Sequence, residues 1–132
     1  MSKLRCLCGY IISDQTEDLP YKAEYFADED YEGSYGAFIH FVAEFIQMEQ
    51  QGERNAFLAT YFGEKYPQDL TVSDIVSDAL TGTRVAFGHT IYECENCGRL
   101  WLERIPGKNS YVPYMPETET RGVLKSQKSI GG

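Results

Sequence analysis

Four cysteines lie in two close pairs, one near each end of the chain: Cys6-Leu7-Cys8-Gly9 and Cys94-Glu95-Asn96-Cys97-Gly98. They are all the cysteines the chain has. A close pair followed by glycine is what a metal knuckle needs. The tight turn aims backbone N–H groups at the thiolates, and glycine permits the positive φ that completes it. Two such half-sites supply the four sulfurs of one tetrahedral structural Zn2+ per chain. Since 85 residues separate Cys8 from Cys94, the ion staples the amino-terminal end to the carboxy-terminal end. Closing so long a loop is where the entropic gain is greatest in principle.

Other fates of the four thiols are weaker readings. Disulfides need an oxidising compartment, and residues 1–20 lack the basic start and apolar stretch of a secretory signal. Iron in a rubredoxin-like site uses the same sulfur geometry, but usually with two-residue gaps on both sides, and the first pair here has a one-residue gap. Free core cysteines would not come as two spaced pairs. A four-sulfur site is closed to water and substrate, which argues against catalytic zinc. The deaminase pattern also fails, because His89-Thr90-Ile91 lacks its glutamate and Glu93 stands where proline belongs.

At 132 residues the chain has the length of one domain. The sequence predicts a zinc-stapled domain over 1–117, knuckles at 6–9 and 94–98, a helical insert over about 28–80, and a mobile tail over 118–132. With 42% hydrophobic and 24% charged residues, the composition is globular. No apolar run approaches the roughly 18 residues of a membrane span, so a cytoplasmic protein is expected. Twenty acids against 12 bases leave a net charge of −8, which opposes nonspecific binding to nucleic acid or anionic lipid. The acid is concentrated: residues 14–53 carry −10, while residues 79–132 carry +2.

Hydropathy patterning predicts an α+β fold. Residues 3–12 read as two short strands around the first knuckle, and Tyr21–Ala27 as another strand. Phe38, Phe41, Val42, Phe45 and Ile46 form one apolar stripe, predicting a helix over 35–51. A second helix is expected over 53–62. A third is expected from a Thr71–Asp74 cap to Leu80, broken by Thr81-Gly82-Thr83. Alternation over 84–93 predicts a strand with Val85, Phe87, His89 and Ile91 on one face. Further strands are expected over 99–105 and 111–115, the last an edge strand because Pro113 cannot donate to a ladder. The layout is therefore zinc-ribbon-type hairpins from both chain ends around about three helices.

Cys94 to Trp101 and Cys6 to Ile12 together resemble a split zinc ribbon of the rubredoxin-like kind. The whole-chain layout is similar to small bacterial cytosolic proteins with a ribbon around an insert, some of them immunity proteins that neutralise interbacterial toxins. That resemblance implies structural zinc and, for the immunity proteins, occlusion of a toxin; a ribbon alone implies no activity.

The remaining residues point away from catalysis. His40 lies off the apolar stripe and His89 reads as a satisfied, part-buried histidine. There is no nucleophile signature, phosphate loop or calcium loop. No small-molecule substrate is expected. Asp28, Glu29, Asp30 and Glu32, with Glu24, Tyr31 and Tyr35 among them, could serve a basic protein partner such as a toxin domain. Carboxylates would steer and tyrosines would anchor; the same residues also suit a plain solvated face. The competing function is a zinc ribbon that meets nucleic acid or the transcription machinery. Lys3, Arg5, Arg99 and Arg104 around the knuckles favour it, and the overall charge opposes it.

Overall fold

A computed structural model describes residues 3–128. In chain order it contains β1 (Lys3–Arg5), β2 (Ile11–Ser13), β3 (Lys22–Tyr25), a 3-10 turn (Asp28–Asp30) and a π-helical turn (Glu32–Gly36). Then come α1 (Ala37–Gln50), α2 (Arg54–Phe62), α3 (Val72–Phe87), β4 (His89–Glu93), β5 (Leu100–Glu103) and β6 (Tyr111–Tyr114). The fold is α+β, as the patterning predicts. Two compact units emerge, one of the chain up to Tyr25 with Gly88 onward, the other Phe26–Phe87.

In the first unit β1 and β2 form an antiparallel hairpin, and β3-β4-β5-β6 form an antiparallel sheet. The register sets Lys22 opposite Tyr92 and Tyr92 opposite Trp101. Side chains alternate between faces along a strand, so this row lies on one face. Tyr92 and Trp101 there are buried with Ile12, Cys6 and Cys94. At the sheet edge, Arg104 N–H donates to Ser110 O at 2.7 Å. Ladder alternation then leaves Trp101 and Pro113 a non-hydrogen-bonded pair. Pro113 thus costs the ladder no bond, and it removes an N–H that the open edge would offer a stray strand.

The second unit is three helices around Phe41, Phe45, Leu58, Ile75 and Ala79. The buried pairs Phe41/Phe45 and Ile75/Ala79 are i, i+4 neighbours, each presenting one helix face. A capping box starts α3: Asp74 N–H donates to Thr71 Oγ1 at 3.1 Å, and Thr71 N–H donates to Asp74 Oδ2 at 3.4 Å. The apolar stripe of α1 is narrower than the sequence predicts. Phe38 and Val42 pack beside the buried phenylalanines, but Ile46 falls on the flank and is 50% exposed.

The largest departure from expectation is α3. It does not break at Thr81-Gly82-Thr83 but runs on to Phe87. Residues 84–87 are therefore helical, and the strand begins only at His89. Val85 and Phe87 accordingly share no strand face with His89 and Ile91. A mid-helix glycine costs about 1 kcal/mol relative to alanine, which packing offsets. The Phe87 ring lies against Gly33, where a Cβ would sit 3.3 Å from Phe87 Cζ. Among the described residues, no helix is long and apolar enough to cross a membrane.

Candidate metal centre

Both knuckles close by the same device. In the first, Cys6 N–H donates to Tyr10 O and Gly9 N–H to Cys6 O, each at 2.9 Å. In the second, Cys94 N–H donates to Arg99 O and Gly98 N–H to Cys94 O, each at 2.8 Å. Each turn thus ties both backbone groups of its first cysteine. The missing residue in the first pair shortens the turn without changing its plan. Gly9 and Gly98 adopt φ values of +94° and +85°, the left-handed region expected of them.

The four sulfurs converge. Cys6 Sγ lies 3.6 Å from Cys97 Sγ, and Cys8 Sγ lies 3.6 Å from Cys94 Sγ. All four sulfurs fall within 4.8 Å of one another. A tetrahedral ion with 2.3 Å bonds to sulfur sets edges of about 3.8 Å. A disulfide requires about 2.05 Å, and all four cysteines are free. Cys6, Cys8, Cys94 and Cys97 could therefore hold a metal ion, consistent with a zinc-ribbon-like site.

N–H donors surround the sulfurs. Trp101 Nε1 donates to Cys6 Sγ, Asn96 Nδ2 to Cys8 Sγ and Arg99 Nη1 to Cys97 Sγ, each at 3.4 Å. Together with backbone N–H groups they stabilise charge on sulfur. The Asn96 amide, followed by the Tyr10 backbone N–H, brings the exposed Cys8 thiol down to about 6. At Cys6 burial pushes upward, but the N–H groups of Cys8 and Trp101 and the neighbouring thiols outweigh it, and its pKa is lowered. Cys94 is fully buried, and that burial pushes its thiol up to about 12. Coordination to a divalent ion would deprotonate such a thiol outright.

The acidic candidates divide between the units. Glu24 lies exposed on β3 opposite Thr90. The other six follow one another along the entry to α1. Asp28, Glu29 and Asp30 form the 3-10 turn, Tyr31 links it to the π-helical segment, and Glu32 and Tyr35 lie on that segment. Tyr31 and Tyr35 have rings 5.7 Å apart and stay 53% and 41% exposed. Beneath them Ser34 is fully buried, and its hydroxyl donates to Asp30 O at 2.6 Å.

The two histidines behave as expected. His40 is exposed. His89 Nδ1 meets Glu103 O at 2.9 Å, and its ring stacks on Tyr25 at 4.5 Å.

Sequence reasoning missed two buried carboxylates, Glu93 and Glu103, which are 2% and 4% exposed. Glu103 accepts from Thr90 N–H at 3.0 Å and Gly107 N–H at 3.1 Å. Nothing local in the sequence separates these glutamates from surface ones. Asn96, Arg99 and Trp101 were more findable, since they lie within or just beyond the second knuckle.

A family described as a domain of unknown function (DUF8617) matches residues 2–118, and the chain belongs to that family. No curated protein and no solved structure matches it.

Proposed function

We propose that this DUF8617 member is a non-enzymatic protein-binding module, stapled by one structural zinc and directed at a basic protein partner. The convergence of four sulfurs carries the reading. Sulfur would fill all four positions of a tetrahedral ion, leaving none for water or substrate. Zinc is favoured over iron by the one-residue gap of the first knuckle. The ion would supply charge compensation and a cross-link, with Cys6, Cys8, Cys94 and Cys97 holding it. Trp101, Asn96 and Arg99 would orient the sulfurs and soften their charge.

The acidic turn supports the partner class. Asp28, Glu29, Asp30 and Glu32 set four carboxylates beside two exposed tyrosines within eight residues. Glu24 adds a charge on β3. Carboxylates speed encounter with a basic surface, and tyrosines anchor it. The partner is, more narrowly, a bacterial toxin domain. Its phosphate-binding or nucleic-acid-binding lysines and arginines would be occluded in the cytoplasm by this immunity-type protein. Arg99, one of four basic residues that favour a nucleic-acid reading, turns its guanidinium to Cys97.

Capture from a native extract at low and high salt tests the reading. One stoichiometric basic protein that elutes as salt rises supports it. Replacing Asp28, Glu29 and Asp30 together by lysine should then slow association at least ten-fold and remove its salt dependence. Recovery of nucleic acid or polymerase subunits alone overturns it. Elemental analysis should give one zinc per chain in a colourless protein, whereas visible absorption would mark iron.

A further inference from the structure

The segment beyond the family match does not simply leave the domain. Residues 120–124 lie back against the second knuckle. Arg121 Nη2 donates to Asn96 O at 3.1 Å. Gly122 N–H donates to Glu93 Oε2 at 2.7 Å, and Leu124 N–H reaches Glu93 Oε1 at 3.5 Å. Glu93 is thus a carboxylate only 2% exposed whose two oxygens receive the main chain of this segment. A buried carboxylate needs such partners. Gly98 supplies the matching clearance: a Cβ there would stand 2.8 Å from Thr120 O and 2.7 Å from Arg121 Nη1.

Beside this contact runs an apolar groove of about 250 Å³ between Gly98, Leu100, Tyr114, Met115 and Pro116 on one side and Thr120 and Val123 on the other. Val123 forms part of one wall and leaves the groove open. Tyr114, Met115 and Val123 remain 58%, 55% and 53% exposed. The groove is therefore roomier than its present occupant. The docked segment is held largely through its main chain, with one arginine and one apolar side chain adding selectivity. Such contacts do not depend on the segment being covalently attached.

We infer that this groove is a peptide-binding site, occupied in cis by residues 120–124, and that it accepts in trans a peptide carrying arginine, glycine and then an apolar residue, turning after the glycine as the cis segment does, where Lys125 N–H donates to Gly122 O at 3.2 Å. Glu93 receives the peptide N–H groups, Asn96 O receives the arginine, and the groove takes the apolar side chain. The site includes no residue of the acidic turn and none of the four sulfurs.

Gly122 allows the cis occupant to be weakened without touching the groove. It adopts φ +74°, and a Cβ there would meet Lys125 Cδ at 3.7 Å, an ordinary contact. Gly122→Ala in the full chain therefore strains the segment's backbone alone. The probe is a fluorescein-labelled peptide with the sequence of residues 117–128, followed by anisotropy against full-length hosts of measured metal content. The Gly122→Ala host should bind it at least ten-fold more tightly than the unmodified chain. A probe with leucine in place of valine should bind more tightly still. Adding Met115→Asp, at an exposed position, or Glu93→Gln to that host should weaken binding at least ten-fold. Absence of saturable binding to the Gly122→Ala host overturns the inference. So does equal affinity for the two hosts, or indifference to Met115→Asp. A protein that carries no zinc as isolated, takes none up and still binds the probe would leave this site standing and remove the zinc reading instead.

Discussion

Trp101 Nε1 donates to Cys6 Sγ at 3.4 Å across 95 positions of sequence. The one tryptophan of the chain is thereby bonded to a proposed metal ligand from the opposite chain end. Its indole reports directly on whether the staple is closed. Chelation should shift Trp101 emission to the red as the ring leaves its buried site, and added zinc should reverse the shift. Emission that stays constant while bound metal falls to zero would contradict the coupling.

The two knuckle glycines should differ in tolerance. Both have positive φ, so alanine at either meets the left-handed penalty of about 1–2 kcal/mol. Gly9 has nothing within 4 Å of where a Cβ would stand, whereas Gly98 has Thr120 O and Arg121 Nη1 under 3.0 Å away. Gly98→Ala should therefore lose more stability than Gly9→Ala, by about 1 kcal/mol or more. Urea titrations at matched metal content compare them, and equal losses would count against the docked segment.

Asp14 should contribute acid-sensitive stability. Burial pushes its carboxyl upward, but the Lys22 ammonium at 2.6 Å and the Tyr92 hydroxyl outweigh this, and its pKa is lowered. Folding thus favours the ionised form. The stabilisation is present above the ordinary aspartate value of about 3.9 and is lost as pH falls through the lower folded value. Asp14→Asn should cost about 1.5–3 kcal/mol at pH 7. The difference between the two proteins should shrink progressively as pH falls below about 3.9 and through the lower folded value, while thiolate protonation affects both alike. A difference that persists in acid would contradict this assignment.

Tyr66 should show the mirror behaviour in alkali. Burial, together with the hydrogen bond it donates to Asp78 at 2.6 Å, raises its pKa. Its contribution is complete below the ordinary tyrosine value of about 10 and is lost as pH rises through the higher folded value. Tyr66→Phe should cost about 1 kcal/mol at neutral pH and flatten the alkaline limb of the stability curve. Spectrophotometric titration at 295 nm in both proteins would identify the late-ionising phenol.

Neighbours on α1 should separate sharply. Phe45 is 1% exposed and Ile46 is 50% exposed. Phe45→Ala should cost about 3–5 kcal/mol by opening a cavity, and Ile46→Ala no more than about 1 kcal/mol. Thermal denaturation of the two variants measures this, and similar losses would mean that Ile46 is covered in solution.

Much of the architecture was legible because local chemistry decided it. Cys-Gly turns, the Thr71 cap and the Phe41/Phe45 spacing each need only a few adjacent residues. Where α3 ends was not legible. Gly82 is a break by propensity, but the contact of Phe87 with Gly33, 54 positions earlier, lies outside any local window. The alternation at 84–87 was real as a pattern and wrong as a strand, since four residues fit either period.

The metal centre divides in the same way. The chain's own order of residues determined that four sulfurs would meet, because each half-site is a self-contained turn and a tetrahedral ion needs two of them. Only the folded chain decided which N–H groups face those sulfurs and what Glu93 holds. Burial of Glu93 depends on the path of residues 120–124, and the approach of Trp101 to Cys6 and of Asn96 to Cys8 depends on how the two chain ends meet. Long-range packing sets both, and no short stretch of sequence encodes either.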